Sequence, residues 1–263
     1  MRFKPENSIA IVTGASSGIG KCLCELLVAR GATVVATARR QHRLDDLVQS
    51  TLKSTLGPGS IIPVVGDLTD PMVRRKVIDV ACQVDGGRID LLINNAGIGA
   101  IGPFADASAE RLRQIMEVNF FAPLELTRSC LPFLRKGRSP VICNIGSVLG
   151  HRAVPNKSEY CASKFAMHGF SDSLRAELVT DNIQVTLVSP STTRSEFFDS
   201  LVDTEAGQSS KSFGSWPPEK VARTTLAAIQ ARRSEVILSL GGKALVYADR
   251  IAPPIMNAIL GVR

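Results

Sequence analysis

The sequence predicts an α/β protein, a doubly wound parallel sheet of about seven strands with helices on both faces. Three observations carry this. Short apolar runs bounded by turn residues alternate with helical stretches of ten or more residues along the chain. The runs are apolar on both faces, as in strands covered by helices on each side. The 263 residues, 44% hydrophobic, hold no internal repeat and no linker long enough to divide them, so residues 1–263 form one domain.

The strands are expected at 9–13, 33–37, 61–65, 89–93, 141–145, 184–188 and, more weakly, 235–238. Helices are expected at 20–30, 43–56, 71–84, 110–119, 123–135, 158–179 and 218–231. The third helix has Thr69 or Asp70 as its cap and Pro71 in its first turn. The helix from 158 repeats small or apolar residues at Ala162, Phe165, Ala166, Phe170, Leu174 and Leu178. Right-handed crossovers place ligands beyond the carboxyl ends of the strands, at the switch point of the sheet. Residues 191–216, rich in Ser, Thr, Asp and Gly, read as a substrate loop over that site. The tail 243–263 carries Ile251, Ile255, Met256, Ile259 and Leu260 around Pro253-Pro254 and is too short to cross a bilayer, which takes roughly 20 apolar residues. It fits packing against the domain or a partner subunit, a peripheral membrane contact, or a wall for a lipophilic substrate.

Composition narrows the partners. Net charge is +7, but the basic residues are dispersed and aromatics are 5% of the chain, so no nucleic-acid platform stands out and a small anionic cofactor is the better fit. Six cysteines occur in apolar segments without CxxC pairs, and His42, His151 and His168 stand apart in sequence, so no metal is expected. Reduced thiols and the absence of a secretory pattern in MRFKPENS give a cytoplasmic expectation.

The first strand ends in TGASSGIG, with Gly14, Gly18 and Gly20 around Ser16, Ser17 and Ile19. Between a strand and a helix, such glycines make the bend, let backbone N–H groups approach a pyrophosphate, and allow close helix–strand packing. After the second strand an acid would bind the ribose 2′-hydroxyl of NAD, yet the sequence reads TVVATARR. Arg39 and Arg40 stand there, and a guanidinium forks onto a 2′-phosphate, so NADP(H) is preferred over NAD(H). Solvated loop charges are the plain alternative.

In EYCASKFAMHGF, Tyr160 and Lys164 lie four apart and share a helix face. Alone, the pair also fits a half-buried tyrosine beside a surface lysine. Together with TGASSGIG, the NNAG of 94–97, Ser147 placed 13 residues before Tyr160, and Asn119 in MEVNFF, it resembles the short-chain dehydrogenase/reductase family, a single-domain Rossmann-type fold. The resemblance runs from about residue 8 to about 195. It implies Tyr160 as general acid/base, Ser147 as hydrogen-bond donor to the substrate oxygen, Lys164 on the nicotinamide ribose, and Asn119 holding a water in a relay to Lys164. It also implies that Asn95, Ala96 and Gly97 line the cofactor, with Asp67 and Leu68 at its adenine end and Pro190 and Thr193 near the nicotinamide. Asp67 fits equally well as a turn residue ahead of the third helix. In SPSTTRSEF, Ser191 stands where the family often has glycine and Ser195 where it often has threonine.

Physical chemistry asks for the same pair. A free tyrosine, near 10, is a weak acid, and lowering it by roughly 3 units takes about 4 kcal/mol. An ammonium roughly 4 Å away supplies about that at an effective dielectric near 20. The expected function is an NADP(H)-dependent oxidoreductase interconverting a carbonyl and a secondary alcohol. An NAD-dependent alcohol dehydrogenase and a non-catalytic cofactor sensor or scaffold are the alternatives. The substrate is expected to be a small, rather apolar molecule, from Phe197, Phe198, Phe213 and Trp216 in the loop. The resemblance implies a homodimer or homotetramer through helices at 108–135 and 158–180.

Overall fold

The computed structural model describes residues 2–53, 57–194, 196–197, 201–202, 204 and 215–259. Ser195, Phe198, Phe213 and Leu260, singled out in the sequence, lie outside the described residues. Seven parallel strands form one sheet: β1 Ile9–Thr13, β2 Thr33–Ala38, β3 Ser60–Val65, β4 Leu91–Asn94, β5 Val141–Ile145, β6 Gln184–Ser189 and β7 Glu235–Ile237. Their order is β3-β2-β1-β4-β5-β6-β7, so the chain winds outward from β1 in one direction and then, from β4, in the other. The switch between β1 and β4 opens a crevice at their carboxyl ends.

Alternation along each strand separates two cores. Ala10 and Val12 of β1 face one layer, with α1 (Gly18–Val28), α2 (Gln41–Lys53) and α7 (Pro218–Gln230) packed on it through Leu23, Leu27, Leu44, Leu47, Leu226 and Ile229. Ile9 and Ile11 face the other, beneath α3 (Pro71–Val84), α5 (Ala122–Leu134) and α6 (Ser158–Glu177), which contribute Val77, Leu126, Cys130 and Leu174. The sequence places these strands and helices to within a few residues. Asp70 caps α3 by accepting from the Met72 N–H at 2.8 Å, with Pro71 in the first turn.

Three features depart from the sequence reading. The helix expected at 110–119 is α4, Ala109–Met116, and runs through a π-helical turn, Glu117–Phe121, into α5. The tail is helical: α8, Leu240–Ile251, begins at Ser239, whose hydroxyl accepts from the Gly242 N–H at 2.9 Å, and α9, Pro253–Ile259, follows. The fourth strand starts later than expected, because Ile89 and Asp90 form a buried junction. One Asp90 oxygen accepts from the Ile9 N–H (2.9 Å) and Arg88 Nε (3.1 Å), and the other from the Arg138 N–H (2.6 Å). A single buried carboxylate thus ties the entrances of β1 and β4 to the loop before β5.

Removing that carboxylate strands two backbone donors at the junction and takes one of the Arg88 guanidinium's partners, leaving it Asp85 and the Asn7 carbonyl. Asp90→Ala should lower unfolding free energy by about 3 kcal/mol, read as a lower urea midpoint at unchanged slope. A loss below about 1 kcal/mol, the worth of a surface pair, would show that the junction is not a structural tie.

Candidate active site

The floor of the crevice is built where β1 meets β4. The Thr13 hydroxyl accepts from the N–H groups of Asn95 (2.9 Å) and Ala96 (3.0 Å) and donates to the Ile93 carbonyl (3.3 Å). The Asn95 amide returns the tie by donating to the carbonyls of Thr13 (2.9 Å) and Gly14 (3.2 Å). Gly14 has φ +67°, and a Cβ there would stand 2.9 Å from the Ala96 Cα; one on Gly20 would stand 2.3 Å from the Gly14 carbonyl oxygen. The turn closes only with glycine at both places. Thr13 was quoted in the motif without a role; the hydroxyl next to the first glycine is the signal that could have found it.

At the start of α1, Ser17 occupies the N-cap position without capping the helix through its side chain. The Ser16 and Ser17 hydroxyls instead lie 3.1 and 3.0 Å from Nη2 of Arg40 and accept from it. The positive end of α1 therefore opens into the crevice beside a guanidinium. Arg39, exposed, borders the crevice beside Arg40, 3.9 Å from an Asp67 carboxylate oxygen. The other Asp67 oxygen accepts from the N–H and hydroxyl of Thr69, so the turn role foreseen for it is realised at the same residue that borders the crevice.

At the opposite end stand Ser147, after β5, and Tyr160 and Lys164, one turn apart on α6. The α6 entrance is fixed by a buried ion pair in which Arg111 Nε and Nη2 both donate to one Glu159 oxygen, at 3.0 and 2.7 Å. Lys164 is buried, and its ammonium donates to the Ile145 carbonyl at 2.9 Å. Asn119, carried by the π-helical turn, accepts from the Ile98 N–H (2.8 Å) and donates to the Ile98 carbonyl (2.9 Å) and the Ser163 hydroxyl (3.0 Å). It backs the crevice behind Gly97.

The electrostatics differ from the sequence argument. Burial pushes the Tyr160 phenol up to about 12, with the Ser147 hydroxyl acting in the opposite sense. Burial brings the Lys164 ammonium down to about 8. The lysine was expected to draw the phenol toward neutrality, but its ammonium is turned to Ile145, 5.7 Å from the Tyr160 ring centroid, and desolvation dominates both groups.

These parts line one cavity of about 1040 Å³. Every site residue expected from sequence borders it except Gly20, which packs beneath Gly14, and Asn119. The sequence reading offered the tail as one wall of the site but missed α8, whose Ala244, Leu245 and Ala248 join Met256 and Ile259 of α9 to complete the cavity. It also missed that His151 and His168 meet, ring centroids 4.3 Å apart, with Glu235 beside them. Burial first, then His168 and Arg250, lower His151 to about 4, and the Arg250 guanidinium 3.3 Å from its Nδ1 already supplies a cation there.

A doubly wound sheet with a glycine turn at its switch point and a serine, tyrosine and lysine at one end of the crevice defines a class, and comparison with known proteins gives the family. The short chain dehydrogenase family model matches residues 8–206. The chain is 33% identical over 269 residues to dehydrogenase/reductase SDR family member 7B of Xenopus laevis, covering 97% of this chain and 81% of that protein. It is 33% identical to the SDR family protein 7-like of Anopheles gambiae, covering 97% and 82%. A short chain dehydrogenase from Burkholderia cenocepacia, solved in complex with NADP, superposes with a TM-score of 0.80 at 28% identity, covering 98% and 99%. One from Burkholderia phymatum, solved with NAD, shares the fold at a TM-score of 0.85 and 23% identity, covering 96% of each chain. The chain belongs to the short-chain dehydrogenase/reductase family and is an oxidoreductase.

Lys164 gives a stability signature. Its ordinary value is 10.5, against about 8 in the fold, so between these pH values the unfolded chain binds more protons and stability rises with pH. Below pH 8 the full burial penalty applies. Lys164→Met should therefore stabilise the protein by about 2 kcal/mol at pH 7, and the advantage should fade between pH 8 and 10.5, measured by urea unfolding of both proteins at each pH. A variant equally or less stable at every pH would contradict the buried ammonium.

Proposed function

We propose that the protein is an NADP(H)-dependent oxidoreductase interconverting a carbonyl and a secondary alcohol, with reduction the favoured direction. The observation that carries it is the convergence of Ser147, Tyr160 and Lys164 at one end of a cavity whose other end is the uncapped α1 and Arg40. The residues fit the cofactor: glycines leave a cradle that a Cβ would fill, and the α1 N-terminus and Arg40 would hold its phosphates. A nicotinamide ring supplies or accepts a hydride when bound. Gly14, Ser16, Ser17, Gly18 and Ile19 would hold the pyrophosphate, Arg39, Arg40, Asp67 and Leu68 the adenosine end, and Asn95, Ala96, Gly97, Pro190 and Thr193 the nicotinamide side.

Tyr160 gives its proton to the substrate oxygen in reduction and takes it in oxidation, while Ser147 donates a hydrogen bond to the same oxygen as charge develops there. A phenol held near 12 stays protonated at neutral pH, ready to protonate the far stronger base that a reduced carbonyl oxygen becomes. Oxidation needs the phenolate and is handicapped by the same burial. Lys164 would hold the ribose and, as a cation one turn from Tyr160, favour the phenolate; Asn119, bonded to Ile98 and Ser163, backs that end of the crevice. Structural neighbours solved with NADP and with NAD support a nicotinamide cofactor, and the preference for NADP(H) rests on Arg40.

The substrate is rather apolar, matching Ile98, Ile101, Val154, Leu245 and Met256 around the reacting end. Exposed Leu240, Tyr247 and Ile251 form one stripe of α8, and the exposed Lys243 and Arg250 flank it, which suits peripheral contact with an anionic lipid surface. Exposed Leu112, Phe121 and Phe165 on α4, the π-helical turn and α6 suit a homodimer or homotetramer face. Six free thiols suit a reducing compartment such as the cytoplasm.

Two substitutions test the reading. Tyr160→Phe should lower NADPH-dependent reduction across an apolar ketone and aldehyde panel about 10³-fold while leaving NADPH affinity unchanged. Arg40→Ala should weaken NADPH at least tenfold, about 1.4 kcal/mol, and leave NADH nearly unaffected. Undiminished turnover in the first variant, or equal losses for both cofactors in the second, would reject the proposal.

A further inference from the structure

Arg40 has a second partner that the family resemblance does not supply. Its Nη1 lies 2.9 Å from one oxygen of Glu196, and Arg43 Nη2, on the first turn of α2, lies 3.2 Å from the other. Glu196 comes from the segment after β6, far along the chain, and reaches across the crevice to the corner between β2 and α2. Its carboxylate spans two guanidinium groups, and the hydrogen bond from Arg40 above all holds it below the usual carboxylate range. The next residue faces the other way. The Phe197 ring stands edge-on to Tyr160, centroids 5.7 Å apart, and fills the space over Gly99, where a Cβ would be 2.9 Å from the ring. One peptide unit thus links the arginine corner to the phenol.

We propose that Glu196 is a specificity-determining residue that occupies the anion site of Arg40 and Arg43, and that a nucleotide 2′-phosphate displaces it. The inference rests on the NADP(H) reading above. A carboxylate offers two oxygens and one charge; a phosphate monoester offers three oxygens and nearly two charges, in a geometry that two guanidinium forks accept. The pair with Glu196 is partly exposed, so it competes without blocking. NAD(H), with a hydroxyl at that position, has nothing to exchange for the carboxylate and leaves Glu196 on the arginines. Displacement carries Phe197 with it, so the end of the cavity at Tyr160 is rearranged by the phosphorylated dinucleotide and not by the other.

The probes are NADPH, NADH, 2′,5′-ADP and 5′-AMP, titrated by calorimetry into the full-length wild type and E196Q. The proposal expects E196Q to bind NADPH and 2′,5′-ADP about fivefold more tightly, an exposed ion pair's worth of competition, with NADH and 5′-AMP within twofold of wild type. Trp216, the single tryptophan, pairs with the Thr193 segment three residues before Glu196, so 2′,5′-ADP should change its emission in wild type more than in E196Q. Weaker NADPH binding by E196Q, equal changes for both dinucleotides, or a selective loss of NADH binding, which would make Glu196 a ribose ligand, overturns the proposal. Failure of the NADP(H) reading itself looks different: wild type would prefer NADH, and 2′,5′-ADP would bind no better than 5′-AMP.

Discussion

The partial burial of Tyr160 and the full burial of Lys164, one helical turn apart, form the constraint on which the rest depends. Removing a phenol and an ammonium from water disfavours the charged form of each. The fold accepts this cost at the carboxyl edge of β5, where the Ile145 carbonyl holds the ammonium and Ser147 sits beside the phenol. The outcome is a proton kept on oxygen at neutral pH and an ammonium that burial brings down to about 8.

The surroundings keep that pair in place. α6 is pinned at its entrance by the buried Arg111–Glu159 pair, one residue from Tyr160. One residue before Lys164, Ser163 hydrogen-bonds Asn119, and the π-helical turn that carries Asn119 also fastens the chain after β4. A π-helical turn costs regular hydrogen bonding and persists where a side chain must be aimed; here it aims an amide at Ile98 and Ser163. At the far end, Thr13 and Asn95 lock the glycine turn to the end of β4, so both halves of the crevice are fastened to the chain that follows β4.

Strand and helix positions were legible because strands of a doubly covered parallel sheet are apolar throughout, and the glycine turn and Tyr-x-x-x-Lys pair are local patterns. What escaped the sequence is set by distant partners. Asp90 falls inside the strand expected at 89–93, and its role as a junction shows only once Ile9, Arg88 and Arg138 surround it. α8 and α9 were hidden by Gly241-Gly242 and Pro253-Pro254, which read as breakers, although Gly242 sits against Val148 where a Cβ would stand 2.9 Å from its side chain. His151 and His168, 17 positions apart, meet only because the turn after β5 folds back onto α6. The tyrosine argument counted the attraction of a nearby ammonium and left out the desolvation of both groups.

The phenol can be titrated directly, since the chain has two tyrosines and Tyr247, half-exposed on α8, can be replaced. Ultraviolet titration of Tyr247→Phe should show Tyr160 ionising near 12 in the protein alone and at lower pH once NADP⁺ is bound. Ionisation at an ordinary 10, unmoved by the cofactor, would contradict the account.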